Sequence, residues 1–155
     1  MIKTLADELQ LPFRIIDLQD SAALQEALSA IKLVLHAAGP YVYTAKQMIE
    51  ACLQTGTHYI DINGDISVFE MLKKQDAAAT KKNIMLMPGA GFDVVPTDCI
   101  ALRLKNKIPD ATHLKLAFAT IGGGLSHGTA ITMAGKLGEG GAVRENGKIV
   151  GKPLG

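Results

Sequence analysis

Within the first 90 residues, four short runs are mostly apolar rather than alternating, and a segment with helical spacing separates each from the next. A strand that is apolar at every position buries both of its faces. That is the mark of parallel strands lying under helices, so the pattern predicts an α/β fold with a parallel sheet. Strands are expected at 13–18, 33–38, 58–62 and 84–87, with helices on both faces. A short helix is expected at 4–10. Asp20 and Ser21 open a helix over 21–31 that carries Ala23, Leu24, Ala27, Leu28 and Ile31 at helical spacing. Thr44 begins the next, with Ala45, Met48, Ile49, Cys52 and Leu53 inward and Gly56 as its C-terminal stop. A helix over 66–82 places Val68, Phe69, Leu72, Ala78 and Ala79 on one face. Strand–helix–strand connections of this kind close as right-handed crossovers.

The pattern changes after residue 90. Residues 98–107 read as a helix with Ile100, Ala101 and Leu104 inward, ended by Pro109. A longer strand is expected at 113–121, then a glycine cluster at 122–124, a helix at 129–137, and a hairpin over 142–150 turning at Asn146-Gly147. A boundary near 93–98 divides the chain into residues 1–95, an incomplete doubly wound sheet, and residues 96–155, the start of an α+β domain.

Composition narrows the function classes. Apolar residues make up 48% and charged residues 20% of 155, which describes a globular chain with a core. Sixteen basic and 15 acidic side chains are well mixed, giving a formal charge of +1. Without a basic stripe, no nucleic acid or anionic membrane partner is expected. No apolar run approaches the roughly 18–20 residues that span a bilayer, and the acidic start does not read as a signal peptide. Cys52 and Cys99 lie far apart in helical patterns and read as reduced, buried thiols, so a cytoplasmic chain is the default expectation.

In an open parallel sheet, ligands bind beyond the carboxyl ends of the strands. Those ends here are Asp17-Leu18, residues 37–41, residues 61–65 and residues 88–93, each rich in small, kinked or polar side chains. Ordinary strand–helix turns have the same composition. Two glycine sets imitate a dinucleotide fingerprint. Gly89-Ala90-Gly91 follows a strand but has Val94 at the third glycine position, and Gly122-Gly123-Gly124 continues to Gly128 with one residue too many. Both read better as turns or substrate-loop glycines. No nucleophile–base pair or paired catalytic carboxylates are visible, no catalytic residue is assigned, and His36, His58, His113 and His127 lack metal-ligand spacing. This fits hydride transfer, in which a cofactor carries the chemistry and the protein positions it. It fits an absence of chemistry equally.

Three ordered motifs, at residues 34–41, 51–61 with Gly64-Asp65, and 88–98, resemble those of saccharopine-dehydrogenase-like NAD(P)-dependent oxidoreductases. Val34-Leu-His-Ala-Ala-Gly-Pro-Tyr41 is similar to the strand and loop after that family's fourth strand. Ala51-Cys-Leu-Gln-Thr-Gly-Thr-His-Tyr-Ile-Asp61 with Gly64-Asp65 resembles its "AC…GTHY-D…GE" segment, with Asp65 in place of the commoner Glu. Pro88-Gly-Ala-Gly-Phe-Asp-Val-Val-Pro-Thr-Asp98 resembles its "GFD…P-D" segment. The resemblance covers nearly the whole chain, weakest over 1–15, and is greatest to the uncharacterised or enoyl-reductase-like branch. It implies a Rossmann-like fold, NADP or NAD as cofactor, and a small-molecule substrate at the domain junction.

Carried over by position, the resemblance sets Asp17 and Leu18 near the adenine, with a helix-capping acid as the alternative for Asp17. Ala38, Gly39, Pro40 and Tyr41 would lie beside the ribose and nicotinamide, or form a plain turn. Tyr59 and Asp61 share one strand face, the tyrosine donating a proton or hydrogen bond and the aspartate orienting it, or else are a buried tyrosine and its partner. Phe92, Asp93 and Asp98 fall at the substrate cleft, although Asp98 reads equally as a first-turn acid favoured by the helix dipole.

The resemblance also implies that the first two strands and the Gly-rich loop precede the equivalent of Leu5. The chain is thus expected to be an internal piece with residues 1–95 as a partial dinucleotide-binding domain. In the common strand order 3-2-1-4-5-6, strand 13–18 would be third and strand 33–38 fourth. The absent pair would leave exposed edges between them. Either those two strands close up and pair, or another chain fills the gap, or the piece is poorly stable. The piece alone is expected to bind dinucleotide weakly or not at all. The rival expectation is a non-catalytic remnant or complementation module that self-associates or pairs with another chain.

Overall fold

The computed structural model describes residues 2–117, 119, 121–124, 127–135, 137, 138 and 140–153. It divides into two units, Met1–Leu116 and Ala117–Gly155.

In chain order the first unit holds α1 (Ile2–Leu9), α2 (Ser21–Leu28), β1 (Leu33–His36), α3 (Tyr41–Thr55), β2 (His58–Asp61), α4 (Ile66–Lys73), α5 (Asp76–Lys82), β3 (Leu86–Met87) and α6 (Val95–Lys107). The three strands form one parallel sheet in the order β1-β2-β3, the α/β arrangement expected. Local chemistry sets the helix limits. Asp20 caps α2 by accepting from the Ala23 amide at 3.0 Å, and Asp65 caps α4 by accepting from Ser67 at 3.1 Å. Each such cap contributes about 1 kcal/mol. α3 ends at Gly56 in the left-handed region (φ 75°) and α5 at Asn83 (φ 54°), the two residue types that tolerate it best.

Register decides which side chains are buried. Val34, Tyr59 and Leu86 stand in one row, with His36 opposite Asp61 one step on along the same face. This face packs on Leu24 and Leu28 of α2, Ala45, Met48, Ile49 and Cys52 of α3, and Val68 and Leu72 of α4. The opposite face carries Leu33, Leu35, Ile62 and Met87, all exposed. Helices thus cover one face of the sheet among the described residues, where two covered faces were expected.

Other expectations are corrected. Residues 13–18 form no strand: Ile16 and Leu18 pack on the core, while Phe13 and Ile15 are exposed. Apolarity alone does not make a strand without a neighbour offering a ladder, and among the described residues β1 pairs only with β2. The helix expected over 66–82 is two helices, broken where the Gln75 amide takes the tighter i→i+3 bond to the Leu72 carbonyl at 2.8 Å. Ile31 lies beyond the end of α2 and Ala78 faces solvent. α6 begins before Asp98 and buries nothing, so Ile100 and Leu104 do not point inward. Cys52 is buried but Cys99 is exposed.

The second unit contains α7 (His127–Gly135) and the antiparallel pair β4 (Gly141–Glu145) and β5 (Lys148–Lys152). The hairpin turns at Asn146-Gly147 as expected, with φ 49° and 78°, the positive pair that a tight two-residue turn requires. Of the strand expected at 113–121, the described residues are not in a strand, and 118 and 120 lie outside them.

Candidate functional site

The three parallel strands end at His36, Asp61 and Met87, and a polar network joins the loops beyond them. Asp61 is its centre and is wholly buried. One carboxylate oxygen accepts from the Asn63 amide (3.1 Å), the Asn63 side-chain nitrogen (2.6 Å) and the Gly89 amide (2.8 Å). The other accepts from the Tyr59 hydroxyl at 2.7 Å. The Asp61 carbonyl takes the Ala90 amide at 2.7 Å. One residue therefore ties the end of β2 to the loop after β3.

Tyr59 extends the network to β1. Its hydroxyl stands 3.1 Å from His36 Nδ1. A tyrosine has one proton to donate, and it goes to Asp61, so Nδ1 carries the hydrogen and donates to the tyrosine oxygen. His36 Nε2 is then a bare acceptor. It is buried and has no hydrogen-bond partner among the described residues. Burial lowers the His36 pKa, opposed by the charge of Asp61 and by the Ala38 carbonyl. Burial raises the Tyr59 pKa, reinforced by the Asp61 hydrogen bond and charge, and Tyr41 is raised by burial and then by Asp61. A neutral imidazole and a protonated phenol are the forms the site holds at neutral pH.

The loop over 37–40 is anchored at both ends. The Tyr41 hydroxyl donates to the His36 carbonyl at 3.3 Å, and its ring meets the His36 ring edge-on with centroids 5.2 Å apart. Thr44 Oγ1 donates to the carbonyls of Ala38 (2.8 Å) and Pro40 (3.3 Å). Pro40 is the N-cap of α3 and offers no side-chain cap, while the Tyr43 amide already donates to the Pro40 carbonyl at 3.1 Å.

Gly89, Ala90 and Gly91 are turn residues. Gly89 has φ 70°, and a Cβ there would stand 2.8 Å from Phe69 Cζ; one on Gly91 would stand 2.9 Å from Ile62 Cβ. Close packing requires both glycines, and the Gly89 and Ala90 amides already serve Asp61. They are not arranged as a phosphate cradle.

The structure brings Tyr59, Asp61, Tyr41, Ala38, Gly39 and Pro40 together at one sheet edge. Ala38 and Gly39 are exposed, whereas Tyr59 and Asp61 are inside. Asp17 is apart from them: its side chain accepts from the Gln19 amide at 2.9 Å, Asp20 rather than Asp17 caps α2, and Leu18 packs on the core. Phe92 is 75% exposed, Asp93 lies beside Gly64, and Asp98 sits exposed in the first turn of α6. His36, Asn63 and Gly89 were not singled out as site residues. Strand parity placed Tyr59 with Asp61, but the partnership with His36 depends on cross-strand register, which no local pattern displays. A depression of about 840 Å³ lies between α2, α3 and α5, lined by Leu18, Gln25, Lys46, Gln54 and Lys82 among others. It contains none of the strand-end loops and is not the candidate site.

Comparison with known proteins follows the same geography. The profile of the saccharopine dehydrogenase NADP binding domain matches residues 2–87. A saccharopine dehydrogenase-like oxidoreductase of Mus musculus is 32% identical over 111 residues, 71% of this chain and 26% of that protein. A trans-acting enoyl reductase of Mycobacterium leprae is 30% identical over 63% of this chain and 23% of its own length. The chain thus spans about a quarter of the length of the curated relatives it matches. The saccharopine dehydrogenase (L-Glu forming) of Saccharomyces cerevisiae superposes with a TM-score of 0.59 at 18% identity, over 70% of this chain and 23% of that one, which shows a shared fold. No helix among the described residues is long and apolar enough to cross a membrane.

Proposed function

This chain belongs to the saccharopine dehydrogenase NADP-binding family of oxidoreductases, and on that footing we propose that it is the nicotinamide-side half of a dinucleotide-binding domain in an enzyme transferring hydride to or from a small substrate. The observation that carries this is the convergence of three parallel strand ends on one hydrogen-bonded edge, the place where open α/β sheets bind ligands.

NADP, or NAD, would supply the hydride chemistry. The residues fit part of it. Ala38 and Gly39 are exposed, small residues that lead through the half-buried Pro40 and Tyr41 into a helix start without a side-chain cap, suited to close approach of a ribose and nicotinamide. Tyr59 and Asp61 hold that loop's base, and the exposed Phe92, Asp93 and Asp98 would border the substrate, with Asp17 and Leu18 towards the adenine. The Gly89 and Ala90 amides are taken by Asp61 and are not free for a pyrophosphate. Residues 1–95 would be the cofactor part and 96–155 the beginning of the substrate part, in a protein of the cytoplasm.

Amide NMR of the full chain titrated with NADPH tests this. Shifts confined to residues 37–41 and the loops after β2 and β3, with a Kd on the order of 1 mM or weaker, are expected. Absence of any shift there at millimolar NADPH would remove the site. Micromolar binding would show that a phosphate cradle exists after all.

A second reading, a module that pairs with another chain without doing chemistry, is favoured by the exposed Leu33, Leu35, Ile62 and Met87 and by the outer edge of β1, which pairs with no strand among the described residues. Sedimentation showing a monomer across micromolar concentrations would speak against self-pairing.

A further inference from the structure

We infer that His36 is a positioning residue for the 37–40 loop, acting through which of its ring nitrogens carries a proton. The inference rests on the dinucleotide reading of that loop and identifies the group that sets its shape.

Three observations lead there. The His36 side chain is almost fully buried at the end of β1, where the loop begins. Its Nδ1 is fixed as a donor by Tyr59, whose own proton is fixed by Asp61. Its Nε2 has no partner among the described residues although it is shielded from water, and the Ala38 backbone carbonyl favours the charged form of the ring. In the neutral form, Nε2 and that carbonyl are both acceptors. No bond forms between them, and the carbonyl turns to Thr44 instead. A proton on Nε2 makes it a donor without an acceptor of its own. The ring would then take the Ala38 carbonyl in competition with Thr44 Oγ1, and the loop would follow. The ionisable groups acting on the ring are Asp61 and Tyr59 of β2 and Tyr41 at the start of α3.

Tyr59→Phe separates this from a plain packing role. Without the phenol oxygen, Nδ1 loses its acceptor, and the neutral ring gains most by moving its hydrogen to Nε2 and donating to Ala38. Loop amides of Tyr59→Phe at neutral pH should therefore shift in the same direction as wild-type loop amides do on acidification. His36→Asn keeps a donor near the Nδ1 position and nothing at Nε2, so it should retain the fold and abolish the loop's pH response.

The linkage has a definite sign. The native pKa lies below the ordinary 6.5, so between these two values the unfolded chain binds more protons. Stability should fall as pH drops from 6.5 toward the native pKa and level off below it. His36→Asn should lack that step.

Long-range ¹H–¹⁵N correlation of the labelled full chain, with amide spectra from pH 4 to 8, decides the matter. Expected are the Nδ1–H tautomer, a midpoint below the ordinary value, and the Ala37, Ala38 and Gly39 amides sharing it. An Nε2–H ring in the wild type, or loop amides indifferent to both the titration and Tyr59→Phe, would overturn the inference. If Tyr59→Phe does not fold, the presence or absence of the loop's pH response in His36→Asn decides. Millimolar NADPH keeps the two proposals apart. Loop shifts absent in every variant would end the dinucleotide reading and leave the tautomer result intact. Loop shifts of equal size in wild type and Tyr59→Phe would keep that reading and dismiss His36 as its positioner.

Discussion

The two faces of the three-stranded sheet are built from the same strands and end in different chemistry. One lies under α2, α3 and α4 and holds Tyr59, Asp61 and His36 in a closed chain of hydrogen bonds. The other shows Leu33, Leu35, Ile62 and Met87 to solvent. By hydrophobicity alone the ranking would be reversed, since the polar residues are inside and the leucines outside. The covered face can keep polar groups because most are answered: the Asp61 carboxylate accepts four hydrogen bonds and Thr57 reaches two carbonyls, His36 Nε2 being the exception at the site. A buried polar group costs stability only to the extent that it lacks partners.

The contrast is broken most severely at Asp61. Asp61→Ala leaves the Tyr59 hydroxyl, the Gly89 amide and the Asn63 side chain without their acceptor inside the protein. Several unsatisfied donors should lower stability by about 3–5 kcal/mol, measured as the midpoint of urea unfolding by circular dichroism. An effect under about 1 kcal/mol would mean that water enters the site and that the network is less closed than its geometry indicates.

A matched pair of leucines sharpens the comparison. Leu28→Ala removes a buried side chain from the core and should cost about 2–4 kcal/mol. Leu35→Ala, at a residue 59% exposed, should change stability by less than about 0.5 kcal/mol. Equal losses in the two variants, at several protein concentrations, would show that the open face is covered in solution. A Leu35→Ala loss that grows with concentration would point to self-association as the cover.

Much of this arrangement was legible in the sequence, for reasons that separate local from distant causes. α3 was readable because Ala45, Met48, Ile49 and Cys52 recur at helical spacing and Gly56 supplies the left-handed stop. The hairpin was readable because Asn-Gly has few other uses between two strands. Tyr59 and Asp61 were paired correctly because parity along one strand is a local property. The failures were non-local. Residues 13–18 have the composition of a strand, but strandhood belongs to a pair, and β1 pairs elsewhere. α6 shows helical spacing at Ile100 and Leu104, yet spacing cannot say whether anything packs against it. His36 could be weighed only as a lone histidine, because the 23-residue separation that joins it to Tyr59 is closed by register.

The mildest test lies at the opposite end of β2. Thr57 is fully buried and its Oγ1 donates towards the carbonyls of Leu28 (3.2 Å) and Ile31 (3.1 Å), with Thr55 Oγ1 at 2.7 Å. It secures the segment that leaves α2 to the start of the strand carrying Tyr59. Thr57→Val preserves shape and removes the donor, so a loss of about 1 kcal/mol is expected. The site at the far end of β2 should not feel it. The His36 tautomer and the amide shifts of residues 37–41 should stay as in the wild type. If they move, the strand transmits strain along its length, and the polar edge is positioned by the whole of β2 rather than by Asp61 and its immediate partners.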